Sequence, residues 1–194
     1  MAIRFALAAA LVLAPVTAHA QSGDKAVAEE LTLEQRVQRI EDEKAIRRLI
    51  MEYAVRLDAR DFDGYAALFA ENGVWQNGPT IKRGRAEIRA MLDGIYGEQD
   101  PGYENTESYR IVHNVVIDLD GDRATARSRQ LTIMRGDRGS PTPRLSGIYD
   151  DEFIRENGEW KFLKRVDSVF MPSAAEWGRQ MAELRAEQAA AAGD

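Results

Sequence analysis

Two side chains in this sequence could move a proton near neutral pH, and they lie far apart along the chain. One is Asp58, which closes the stretch EYAVRLD; the other is His113, in YRIVHNVVID. An imidazole takes up and releases protons around neutrality, and a carboxylate held against its other ring nitrogen fixes the tautomer. Two readings of each residue are open. His113 alternates in step with Tyr109, Ile111, Val115 and Ile117, so it points inward if that face is the core. There it is either a satisfied core histidine or a base. Asp58 lies about 80–100° from the centre of a helical apolar stripe, where it is either a helix-end residue or a group aimed at a pocket. Tyr53 sits nearer the centre of that stripe, and a buried phenol needs a partner for its hydroxyl.

The later segments add smaller hints. Ala124, Ala126 and Ser128 share one strand face and leave it with few large side chains. Tyr149 alternates with Leu145, Gly147 and Phe153; the acidic run Asp150-Asp151-Glu152 reads as a solvated edge, with an inward Asp151, on the face of Tyr149, as the open alternative. Arg165 is in step with Leu163 and Val169, and Trp75 lies on a short strand, Val74 to Gln76. Metal binding is not expected, because the chain has no cysteine, His113 is its only histidine after residue 20, and no ligand-spaced carboxylate cluster is present.

These residues need a scaffold, and the periodicity supplies one. Thr32 and Gln35 have capping-box spacing, which predicts a helix start. Ile46, Leu49, Ile50, Tyr53, Ala54 and Leu57 then form a buried helical face. Asp61 caps a short second helix carrying Phe62, Tyr65, Leu68 and Phe69, and Gly84 opens a third with Ile88, Met91, Leu92 and Ile95. From Tyr109 the period becomes 2. Asp120-Gly121 and Asn157-Gly158 predict hairpin turns between long strands, 123–134 into 144–155 into 160–170. The fold class expected is α+β, with helices on one face of a curved antiparallel sheet, followed by a helical tail over 173–194.

The first residues read as a secretory leader: Arg4, an apolar run Phe5 to Ala14, Pro15, then Ala18-His19-Ala20 as a cleavage site. A tether over 21–31 and one domain over 32–172 follow. The expected location is periplasmic or secreted, with cleavage after Ala20. The 26 basic and 32 acidic residues give a net charge of −6, and loss of Arg4 makes it −7, which argues against a nucleic-acid or anionic-membrane partner.

Together, AIRRLIMEYAVRLDARDFDGYAALFAENGVW, GRAEIRAML, VHNVVIDLDGDRATARS and GIYDDEFIRENGEWKFLKR resemble the SnoaL-like branch of the nuclear transport factor 2-like superfamily. The resemblance spans about Leu33 to Phe170. It implies a cone-shaped α+β barrel of curved sheet whose pocket is closed by the N-terminal helices, and a homodimer. Scytalone dehydratase, bile acid 7α-dehydratase and hexachlorocyclohexane dehydrochlorinase pair an Asp of the first long helix with a His of the sheet. By resemblance these are Asp58 and His113, with Tyr53 matching a tyrosine of the bile acid enzyme and Arg165 an arginine of the dehydrochlorinase. A second histidine of scytalone dehydratase has no counterpart, and Val169 stands where the bile acid enzyme has an arginine.

The function implied is a lyase or isomerase, free of metal and organic cofactor, that abstracts a proton next to a carbonyl of a small hydrophobic molecule. His113 would take the proton, Asp58 would orient it, and Tyr53 or Tyr149 would hold the enolate oxygen. Tyr149, Trp75 and Arg165 are assigned to substrate contact. The alternative is an exported protein that binds such a molecule without changing it.

Overall fold

A computed structural model describes residues 31–97 and 102–191. The expected leader, residues 1–20, and residues 21–30 of the tether lie outside the described residues. Helix α1 (Leu33–Asp58) begins at the expected capping box: Thr32 Oγ1 accepts from the Gln35 N–H at 3.2 Å, and Gln35 Oε1 accepts from the Thr32 N–H at 2.8 Å. Asp61 caps α2 (Phe62–Ala67) by accepting from the Gly64 N–H, and α3 (Gly84–Tyr96) starts where expected. Leu68 and Phe69, expected in the second helix, leave it, and Phe69 starts strand β1 (Phe69–Asn77). That strand turns at Gly78 into β2 (Thr80–Arg83), an element with no clear alternation in the sequence.

The long strands are β3 (Ser108–Asp120), β4 (Arg123–Arg135), β5 (Pro141–Glu156) and β6 (Glu159–Met171), and α4 (Ala174–Ala191) follows them. They form one curved, unclosed sheet in the order β2-β1-β6-β5-β4-β3. All pairings are antiparallel except β1 with β6, which is parallel. Helix α1 packs across β3 and β6, and α3 packs on β1.

The core is aromatic at its centre. Tyr53, Tyr65, Phe69, Phe153 and Phe162 are each at most 2 % exposed. Their ring centroids lie 4.6 Å (Tyr53–Tyr65), 5.0 Å (Phe153–Phe162) and 5.3 Å (Phe69–Phe162) apart. Rings of this size carry much of the apolar burial of a small domain. The first turns of α1 do not share in it: Leu33, Val37 and Ile40 are exposed, and burial starts at Asp42, which accepts from Trp160 Nε1 (3.0 Å) and Arg155 Nη2.

One irregularity decides the functional reading. Asn114 has φ +52°, and the β3–β4 register slips between His113 and Val116. This β-bulge reverses which face the side chains take. Beyond it Val115, Ile117 and Leu119 point inward, as the alternation predicts. Before it the inward residues are Arg110 and Val112, while Tyr109, Ile111 and His113 are exposed. A second bulge in β6, at Leu163, turns Phe162, Arg165 and Asp167 to the inner face in place of Leu163.

Candidate functional site

The inner face of the sheet forms a ladder of cross-strand pairs, and exposure rises along it. Phe153 opposes Phe162, Asp151 opposes Arg165, Tyr149 opposes Asp167, and Gly147 opposes Val169. The first two pairs and Tyr149 are sealed; Asp167 and Val169 are partly exposed. On the far side of β6 the same rows continue into β1 as Trp75 beside Arg165 and Asn77 beside Asp167, and on the far side of β5 Ser128 lies beside Tyr149. Gly147 keeps its row narrow, because a Cβ there would lie 2.6 Å from the Ser168 carbonyl oxygen and 3.0 Å from Gln130 Nε2.

Arg165 organises this interior. Its side chain is fully buried, and it donates to both oxygens of Asp151, at 2.7 and 2.6 Å. Its guanidinium carbon lies 3.9 Å from the Tyr53 ring centroid, 4.1 Å from Tyr149 and 4.3 Å from Phe162. Burial works against the charge, but the Asp151 carboxylate and its hydrogen bonds outweigh it, and the pKa rises above its ordinary value. Arg165 therefore stays charged and, being wholly enclosed, reaches its surroundings through its field. The sequence assigned it to direct substrate contact, and the enclosure by three rings and Asp151 corrects that assignment.

Three sequence-derived candidates converge around Arg165. The indole N–H of Trp75 donates to the Tyr53 hydroxyl at 3.1 Å, and the Tyr53 and Tyr149 rings meet edge to face at 5.6 Å. Burial pushes both phenols above their ordinary pKa, so at neutral pH they are neutral hydrogen-bond donors.

Asp58 and His113 do not meet. Asp58 turns toward the sheet, but it meets Arg110. Its Oδ2 accepts from the Arg110 backbone N–H and its Oδ1 from Arg110 Nη1, both at 2.9 Å. Arg110 Nη2 in turn donates to the Tyr96 hydroxyl at 3.1 Å. Burial alone would lower the Arg110 pKa; Tyr96, Tyr149 and Asp58 around it more than offset that, and the pKa is raised. His113 lies on the outer face of the sheet, paired in register with Arg129. The expected Asp–His dyad is replaced by an Asp–Arg pair, because the Asn114 bulge sets the parity of β3 one residue out of step with the alternation.

The sequence reading missed Arg110, Asp167 and the partnership of Asp151 with Arg165. A signal for Asp167 was present: the stretch RVD places Arg165 and Asp167 two apart, hence on one face. Burial pushes the Asp167 pKa up to about 6, with the Arg165 charge, the Asn77 amide and the Arg110 charge pulling against it. Three shielded polar atoms here have no hydrogen-bond partner: Ser128 Oγ, Arg165 Nη1 and Asp167 Oδ1. Such atoms are rare in folded proteins and call for a physical reason. Among the described residues no cluster of His, Asp and Glu suits a metal ion, and no helix is long and apolar enough to cross a membrane.

Comparison with known proteins agrees with the fold. A nuclear transport factor 2-like protein with a cystatin-like fold from Novosphingobium aromaticivorans is 25% identical, with 76% of this chain and 95% of that one covered and a TM-score of 0.65. A candidate scytalone dehydratase from the same organism is 28% identical, covering 69% of this chain and 87% of that one, with a TM-score of 0.57. ActVI-ORFA of Streptomyces coelicolor, 23% identical over 66% of this chain and 96% of its own, shares the fold at a TM-score of 0.56. No curated protein matches the chain. The model of the SnoaL-like domain matches residues 38–166, and this chain belongs to the SnoaL-like family.

Proposed function

We propose that the protein is a cofactor-independent lyase or isomerase that shifts a proton next to a carbonyl of a small hydrophobic molecule. The observation that carries this reading is the fully buried, charged Arg165, ringed by Tyr53, Tyr149 and Phe162. A fixed cation and two neutral phenols in a water-poor interior favour negative charge developing on a substrate oxygen, and preorganised groups of this kind are worth a few kcal/mol to such a step. The base is a carboxylate rather than an imidazole, since His113 faces out. The family's fold is shared with a candidate scytalone dehydratase, which supports a dehydration or isomerisation. Export and a homodimeric state are part of this proposal; they rest on the leader-like residues 1–20 and on the family resemblance.

The second reading, a protein that holds such a molecule unchanged, draws on the commitment of both Asp58 oxygens to Arg110. One assay separates the two. The purified protein is mixed with 2-tetralone, a small aromatic ketone with acidic α-protons, in D₂O. Binding is read from tryptophan fluorescence and α-proton exchange from ¹H NMR. The enzyme reading expects binding with exchange well above buffer; binding without exchange supports the binder.

A further inference from the structure

Besides the buried Asp42, which is taken up by Trp160 and Arg155, three carboxylates lie among the residues around Arg165 and Arg110. Asp58 spends both oxygens on Arg110, and Asp151 spends both on Arg165 and is sealed from solvent. Asp167 differs on both counts. It lies one rung beyond the Arg165–Asp151 pair, toward Val169, and is partly exposed, yet its Oδ1 is shielded and without a partner. Arg165 sits two residues away on the same face and is not hydrogen-bonded to its Oδ1: Nε and Nη2 go to Asp151, and Nη1 has no partner.

On the reading above, we propose that Asp167 is the group that carries the proton, with the Arg165–Asp151 pair behind it as positioning residues. A carboxylate neutralised by a direct ion pair is a poor base; one held near, but not by, a buried cation keeps its basicity and stays anchored. The titratable and polar groups that act on Asp167 are Arg165 on its own strand, Asp151 and Tyr149 from β5, Asn77 from β1, Arg110 from β3 and Tyr53 from α1. Tyr149 is the cross-strand register partner of Asp167, and the charges of Asp167, Arg165 and Arg110 all act on its phenol.

The step balances within these groups. Asp167 takes the α-proton; the C–H pair becomes the new C=C bond, and the carbonyl π pair moves to oxygen, where the field of the buried Arg165 charge favours it. Returned to another carbon, the proton completes an isomerisation. Delivered to a β-hydroxyl, it completes a dehydration, as the enolate pair re-forms the carbonyl, the C–O bond breaks and water leaves. Asp167 ends ionised in both cases. Its pKa of about 6 suits a base at neutral pH.

The test is the tetralone exchange assay on the full chain, run on wild type and Asp167→Asn between pH 4.5 and 8. The wild-type rate above buffer should rise to a plateau with a midpoint at about 6, and Asp167→Asn should exchange ~10²–10⁴-fold more slowly while its tetralone affinity stays within about threefold. Exchange by Asp167→Asn within about threefold of wild type, or a wild-type profile without an inflection between pH 5 and 7, overturns Asp167 and leaves the proposed function standing. A wild type that binds tetralone and exchanges nothing overturns both. The wild-type profile needs no variant to fold, so the assignment can fail on it alone.

Discussion

Asp167→Asn should make the protein more stable at pH 7 while removing its proton transfer. Burial raises the Asp167 pKa from the ordinary 3.8 to about 6. At about 1.4 kcal/mol per pH unit the ionised form therefore costs the folded state up to ~3 kcal/mol. Partial exposure of the residue, and the extra N–H pair that Asn brings, reduce the net gain to ~1–2 kcal/mol. The sign follows from linkage. Because the folded pKa lies above the unfolded one, the folded state binds more protons between pH 3.8 and 6. The contribution of this group is thus most favourable below about 4, declines as pH rises to about 6, and is flat beyond. Urea unfolding at pH 4 and pH 7 measures it. With a slope of about 1–3 kcal/mol per molar, the variant's midpoint at pH 7 should lie ~0.5–1 M above wild type, and the advantage should shrink or vanish at pH 4. A variant no more stable at pH 7, or equally favoured at both pH values, would refute a buried, destabilised carboxylate at this position. A variant both more stable and inactive would show that its lost activity is not lost folding.

Asp151→Asn should have the opposite effect, since it strands the sealed Arg165 charge: a loss of ~3–5 kcal/mol, read from the same urea curves, with Asp151→Leu/Arg165→Met recovering most of it. His113→Ala should leave tetralone exchange within about twofold of wild type and stability within ~0.5 kcal/mol, as befits an exposed outer-face residue. A large loss of exchange in that variant would place the histidine back in the site.

The sequence by itself determined what depends on local chemistry. The Thr32–Gln35 box and the Asp61 cap satisfy helix-end donors within three residues, so the two helix starts were legible. Asp120-Gly121 and Asn157-Gly158 suit turns with left-handed backbone, and the hairpins fall there, with Gly121 at φ +56° and Asn157 and Gly158 at +52° and +84°. The shared faces of Ala124, Ala126 and Ser128 on β4 and of Gly147, Tyr149 and Phe153 on β5 followed from alternation, while the acidic run read as a solvated edge proved to hold the buried Asp151. Family membership rested on that same order of segments.

The tertiary structure decided everything that turns on a single residue's backbone or on a distant partner. Alternation carries no mark of where a bulge interrupts it. One left-handed residue, Asn114, exchanged His113 for Arg110 on the inner face, and one bulged residue, Leu163, brought Arg165 and Asp167 onto the face of Phe162. The parallel pairing of β1 with β6 set Trp75 beside Arg165 and Asn77 beside Asp167, a juxtaposition across some ninety residues that no local preference encodes. Asp58 was expected to be aimed into a pocket and to meet His113; that it meets Arg110 instead depended on the parity of a strand 52 residues away.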